Sequence, residues 1–193
     1  GFRPGVMEKL QIGPSDCHEE LIYGRMTGWG QSGMLSKTAG HDINYLGITG
    51  ALHAIGNREK PIPPLNLVAD YGGGSMFLIF GILAALYERA LSGKGQTIDA
   101  AMVDGVLAMM GLFHQQIAKG SWTDGERQSN LLDGGAPFYR CYECADEKFI
   151  SVGALEPQFF AELVEIVKLP EIDLVTQNDR TTWAEKNKAY EKI

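Results

Sequence analysis

Residues 71–87 carry no charge at all. A run of that kind has few homes. A membrane span needs about 20 apolar residues, with roughly 17 as the floor. This run reaches the floor only by counting Gly72, Gly73 and Gly74. A second apolar stretch, 100–118, follows closely and holds Asp104 and His114. Two buried helices of an α/β protein suit both stretches better than a bilayer does. The expectation is therefore helices over 70–91 and 100–118, packed on each other or on a sheet, and no membrane.

The rest of the chain supports that class. Hydrophobic residues make up 45% of 193, enough for a core and for one domain or part of a larger one. The net charge of −7 argues against a nucleic-acid partner and means that any anion site must be built locally. Three cysteines are too few for a disulfide-stapled scaffold. The start has no pattern of a signal or transit peptide, and with the chain beginning at Gly1 and ending in a helix-like stretch, the expectation is a piece of a longer polypeptide.

Local pattern gives the remaining elements. A strand is expected over 21–26, followed by a glycine-rich loop over 27–33. A helix is expected over 42–55, weakened by Gly47 and Gly50, and a Pro-rich loop over 57–64. The Ser-Gly-Lys-Gly stretch 92–95 stops the long helix before a strand at 96–99. Alternation over 138–144 and 149–154 predicts a hairpin turning at Asp146 and Glu147. An amphipathic helix follows over 157–169, and another begins at Trp183.

Several motifs have ordinary explanations. The G-x-G-x-x-G at 28–33 follows a strand, but no clear helix opens after it and no acidic residue stands about 20 positions on, so it is a ligand-shaping or mobile loop rather than a dinucleotide fingerprint. Cys141 and Cys144 have redox or metal spacing, yet they sit on a hairpin strand with no further ligands at partner spacing; strand packing is favoured and no metal is expected. His18, His53 and His114 are isolated.

Three positions carry more. His41 stands where a glycine loop meets a helix start, beside Asp42, Asn44 and Tyr45. Its neighbourhood is equally that of a capping cluster, with Asp42 as the cap, and of a positioned general base. Asp70 heads Gly72–Gly74, whose cost to a first helical turn is about 1 kcal/mol per glycine relative to Ala. Its ordinary role is an N-cap; bare backbone there also suits an anion, which makes the glycine N–H groups candidates for an oxyanion hole. Glu156 precedes Pro157 between strand and helix, the position of a helix-entry acid.

Six ordered blocks make the pattern specific: Gly40-His41-Asp42-Ile43-Asn44-Tyr45, the stretch from Leu65 to Gly74, Gly93-Lys94-Gly95-Gln96, the stretch from Ile98 to Gly105, the stretch from Leu132 to Tyr139, and the stretch from Val152 to Phe159. Together they resemble racemases of the class III CoA-transferase family over nearly the whole chain. The resemblance implies an α/β fold with a Rossmann-like large domain, a smaller domain and an interlocked homodimer, of which this chain is the central piece. Residues 1–118 then belong to the large domain, and 119–193 to a linker and the smaller domain.

The resemblance also implies an isomerase. It would invert the C2 stereocentre of 2-methyl-branched acyl-CoA thioesters by two-base proton transfer through an enolate. His41 and Asp70 match the acid/base pair, and Glu156 matches a carboxylate that supports the histidine. Gly1, Phe2, Arg3, Lys9 and Gly40, His41, Asp42, Ile43, Asn44 and Tyr45 match positions that contact CoA, which is part of the substrate, so no cofactor is expected. Lys9 stands where Arg is common, which keeps the charge without the bidentate fork. Arg25 could add positive charge, and Met102, Met109, Met110 and Phe113 are candidates for the acyl surface, although core packing suits most of them. Bile-acid intermediates, branched fatty acids and arylpropionyl esters all lie within the family's habit. Eukaryotic members work in peroxisomes and mitochondria, and bacterial ones in the cytoplasm. The alternatives are a CoA transferase of the same family with Asp70 as nucleophile, and an inactive fragment.

Overall fold

The computed structural model describes residues 3–193. The chain divides into two compact units, one made of residues 1–53 and 62–119, the other of 54–61 and 120–193.

In the first unit a short helix α1 (Val6–Lys9) leads to β1 (Tyr23–Thr27). The chain then passes through α2 (Asp42–Ile48), α3 (Ala51–Ala54), a π-helical segment (Leu67–Met76) and α4 (Phe77–Ser92) before β2 (Thr97–Ala101). β1 and β2 pair in parallel, from Tyr23 opposite Thr97 to Thr27 opposite Ala101. A parallel pair cannot be joined by a hairpin, so the intervening helices form its crossover. α5 (Met102–Met109) and α6 (Gly111–Ala118) complete the unit.

Three expectations are corrected here. The helix expected over 42–55 breaks after Ile48: Gly50 has φ +80, and the Thr49 hydroxyl donates to the carbonyls of Tyr45 and Leu46. The long helix starts at Leu67 rather than Asp70, and its first ten residues have π geometry, so Asp70 lies inside it and Asn66 is the cap. The long helix is also far less buried than expected. α4 lies along β1 and β2, where Gly24 faces Leu78 and Gly81 faces Ile98. A two-stranded sheet covers only one side of a helix, so Phe80, Leu83 and Tyr87 are exposed. Among the described residues, Leu67–Ser92 is the one helix long and apolar enough to cross a membrane.

The glycine triplet has a packing reason. A Cβ at Gly73 would meet the Met102 carbonyl oxygen at 2.8 Å and the Val106 nitrogen at 2.9 Å, and one at Gly105 would overlap the Gly73 carbonyl. The π segment and α5 therefore touch backbone to backbone, a closeness only glycine permits. Tyr45, Leu46, Ala51, Ala69 and Val106 form the core around this contact.

The second unit holds the expected hairpin. β3 (Tyr139–Glu143) and β4 (Phe149–Gly153) are antiparallel, with Tyr139 opposite Gly153. α7 (Pro157–Val167) follows, with Pro157 in its first turn and Lys168 ending it at φ +58. α8 (Ile172–Val175) and α9 (Arg180–Tyr190) close the chain. Fully buried Phe138 meets Phe160 and Trp183 edge-on, at centroid distances of 5.4 and 5.8 Å. Each such side chain contributes roughly 1.5–3 kcal/mol by leaving water.

Candidate active site

The carboxyl ends of parallel strands are where open α/β sheets bind ligands. Here Met26, Thr27 and Gly28 at the end of β1, and Met102 just after β2, line a cavity of about 590 Å³. His41, Asp70 and Tyr45 line the same cavity, as do Arg3 and Gly40.

The loop between β1 and α2 is tied down rather than free. Thr27 Oγ1 accepts the Gly30 N–H at 3.0 Å, and Asp99 on β2 accepts the Gln31 N–H at 3.1 Å. Gly30 and Gly33 take φ of +81 and +88. Gly28, Trp29 and Gly30 of this loop form part of the cavity wall. By sequence Asp99 is only a strand residue; nothing local marks it as the tether.

His41, not Asp42, caps α2. Its backbone is extended at φ −128, and its N–H donates to Asn44 Oδ1 at 2.9 Å. Asp42 is buried instead, and its Oδ2 accepts the backbone N–H groups of Ala69 at 2.8 Å and Asp70 at 2.9 Å. The first turn of a helix leaves such donors unpaired. The Asp42 carboxylate accepts from two of them, from a different helix, and so joins the His41 turn to the Asp70 turn.

Asp70 is half-buried, and the Asn66 amide donates to its Oδ2 at 3.4 Å. Asn66 also lines the cavity, and its place four residues before Asp70 is a helix-neighbour spacing that sequence could have flagged. The Ser75 hydroxyl donates to the Asp70 carbonyl at 3.0 Å. Gly72, Gly73 and Gly74 do not line the cavity, and the last two are buried against α5, so they are not its oxyanion donors.

Tyr45 is 4% exposed and is among the residues lining the cavity. Burial pushes its phenol above the ordinary value, and the charges of Asp70 and Asp42 push it further the same way. A phenol held protonated is a hydrogen-bond donor.

The other expected residues fall elsewhere. Asp42, Ile43 and Asn44 adjoin the cavity in sequence without lining it, and Lys9 is exposed at the end of α1. Gly1 and Phe2 lie outside the described residues. Glu156 is the exposed N-cap of α7 in the second unit. Arg25 pairs with Glu8 and donates to Gln31 Oε1 at 2.8 Å, so its charge is already engaged. Met102 and Met110 both pack against the core of the first unit, and Met102 also lines the cavity. Cys141 and Cys144 are free thiols. Among the described residues no group of three or more His, Cys, Asp or Glu side chains could hold a metal ion.

This arrangement sets an imidazole, a carboxylate and a protonated phenol around one space, which suits proton transfer at carbon. Known proteins resemble the chain over its whole length. The chain is 47% identical to alpha-methylacyl-CoA racemase of Mus musculus over 196 aligned residues, which cover all of this chain and 51% of that protein. It is 46% identical to alpha-methylacyl-CoA racemase of Homo sapiens with the same coverage. The chain thus spans about half the length of the curated relatives it matches. The crystal structure of a CAIB/BAIF family protein from Brucella suis shares the fold, with a TM-score of 0.75 at 20% identity, covering 99% of this chain and 52% of that one. The family model for CoA-transferase family III matches residues 1–193, and the chain belongs to that family.

Proposed function

We propose that the protein carrying this chain inverts the C2 stereocentre of 2-methyl-branched acyl-CoA thioesters. One observation carries the reading: His41 and Asp70 line the same cavity. Inversion requires a proton to leave one face of C2 and another to arrive on the opposite face. One of the two side chains removes the C2 proton as base, and the electron pair moves into the thioester carbonyl to give an enolate. The other, in its acid form, gives its proton to C2 from the far side. The roles exchange with substrate handedness.

A positioned acid or base contributes about 10²–10⁴-fold, so the enolate oxygen needs a donor of its own. Tyr45 takes that part, because it lines the cavity and its phenol is held protonated. Arg3 and the Gly40–Tyr45 turn receive the CoA moiety. Asp42 contributes to that contact only through its backbone, since its side chain is buried outside the cavity lining with Oδ2 accepting from Ala69 and Asp70. Gly1, Phe2 and Lys9 keep the CoA contacts that the family resemblance implies, and Glu156 keeps its histidine-supporting role. CoA enters as substrate, and no further cofactor is required. We also propose a homodimer, with residues 1–118 in the large domain and 119–193 in the linker and smaller domain. Leu67–Ser92 serves as a helix of this fold rather than a membrane span, because its first half bears Asp70 in the cavity wall.

The experiment is incubation of each 2-methylacyl-CoA enantiomer in deuterated water with the intact protein. Racemisation incorporates deuterium at C2 in the inverted product. A transferase with Asp70 as nucleophile leaves C2 protiated and yields an acyl adduct on Asp70 that hydroxylamine traps. The presence of His41 in the cavity favours the first outcome, since transfer needs no second base.

A further inference from the structure

Asp42 is 6% exposed and outside the cavity lining, yet its carboxylate makes an unusual pair of bonds. Both bonds go to one oxygen. Oδ2 accepts from Ala69 and Asp70, while Oδ1 is buried with no hydrogen-bond partner among the described residues. Capping two backbone donors does not demand this. A Ser or Asn does it without burying a charge. A carboxylate with an orphaned oxygen is a costly choice, and such groups in folded proteins call for an explanation.

Connectivity supplies one. Asp42 is the residue after His41, and His41 is itself held by the Asn44 side chain at 2.9 Å. Asp42 Oδ2 reaches the N–H of Asp70 directly. One peptide unit and one hydrogen bond therefore link the two residues assigned to opposite faces of C2. A hydrogen bond to an ionised acceptor is roughly twice as strong as a neutral one, and a carboxylate at a helix start is further favoured by the helix dipole. The link is thus stiffer than an amide or hydroxyl would make it.

We propose that Asp42 is a positioning residue that fixes the separation of His41 and Asp70, so that proton removal on one face and proton return on the other stay coupled. The proposal rests on the two-base reading above. It assigns Asp42 no contact with the reacting carbon. A loosened pair still lets one base remove the C2 proton, but the enolate is then reprotonated from the same side more often. Exchange with solvent goes on while inversion falls.

The test measures both rates in deuterated water on the intact protein, for wild type, Asp42→Ala and Asp42→Asn, with a single enantiomer of a 2-methylacyl-CoA. The readout is the ratio of deuterium in the recovered, uninverted substrate to inverted product. The expected result is inversion reduced about 100-fold in Asp42→Ala, the cost of misplacing a catalytic pair by about 1 Å, with the ratio raised severalfold. Asp42→Asn keeps one acceptor oxygen and falls between wild type and Asp42→Ala. Equal loss of exchange and inversion, with the ratio unchanged, overturns the proposal. Should Asp42→Ala fail to fold, the ratio in Asp42→Asn decides by the same criterion. A wild-type protein that neither exchanges nor inverts overturns the two-base reading itself, whereas an active wild type with unaltered ratios in the variants overturns only the role of Asp42.

Discussion

The ring of Trp29 stands edge-on to that of Tyr45, with centroids 4.7 Å apart and planes at 76°. Two glycines make room for the pair. A Cβ at Gly40 would meet Tyr45 Cε1 at 2.8 Å and Trp29 Cζ2 at 3.0 Å, and one at Gly28 would overlap the Tyr45 hydroxyl. The phenol is therefore held by rigid neighbours, as electrostatic stabilisation of a developing charge requires.

From this follows the effect of Tyr45→Phe. Loss of one donor to the enolate oxygen should lower kcat by about 100-fold. The ring and its packing remain, so the melting temperature should stay near that of wild type. Steady-state racemisation together with thermal melting checks both. A rise in KM at constant kcat would reassign Tyr45 to CoA binding alone.

His41→Ala and Asp70→Asn should each lower inversion by about 10²–10⁴-fold. Each variant should still exchange the C2 proton of one enantiomer, and the two variants should favour opposite enantiomers. Deuterium incorporation into each enantiomer, followed by mass spectrometry, measures this. Equal exchange of both enantiomers in either variant would contradict a two-base arrangement.

Gly73→Ala probes packing instead. The added methyl meets two backbone atoms of the α5 region at under 3 Å, and backbone yields less readily than a side-chain tip. Overpacking of this kind costs about 1–3 kcal/mol, which should appear as a lower denaturation midpoint. Gly50→Ala makes a useful contrast, because its strain comes from a positive φ and not from crowding.

In the second unit, the Tyr142 hydroxyl donates to the Pro137 carbonyl at 2.5 Å, and burial pushes its phenol up to about 12. Tyr190 is likewise raised, chiefly by burial and then by its 2.6 Å bond to Asp173. An unfolded phenol titrates at about 10. As pH rises from there toward about 12, the unfolded chain loses a proton that folded Tyr142 retains, so stability falls across that window. Below it the contribution is fully present. Melting temperature against pH should therefore decline from about pH 10 upward, and the slope should be shallower in Tyr142→Phe. An identical slope in the variant would show that other groups control the alkaline limit.

Much of the architecture was legible locally. β1, β2, the β3–β4 hairpin and α7 fall within a few residues of their sequence expectations, because alternation and 3.6-residue periodicity are properties of neighbouring residues. Pro157 entering α7 and Gly93 ending α4 are punctuation of the same kind. His41 and Asp70 were also recognisable as candidates, and they line one cavity.

What lay beyond the sequence has a common cause. Asp42 looked like the cap of its own helix, but its carboxylate bonds to backbone groups 27 and 28 residues away. The glycine triplet looked like an open anion cradle, but it is shaped by α5, which follows in the chain only after α4 and β2. The chain itself determined its elements, its family and the chemical types at the site. Tertiary structure alone decided which unpaired donor meets which acceptor and which backbones touch, since hydrogen-bond satisfaction and close packing are settled between distant segments rather than within them.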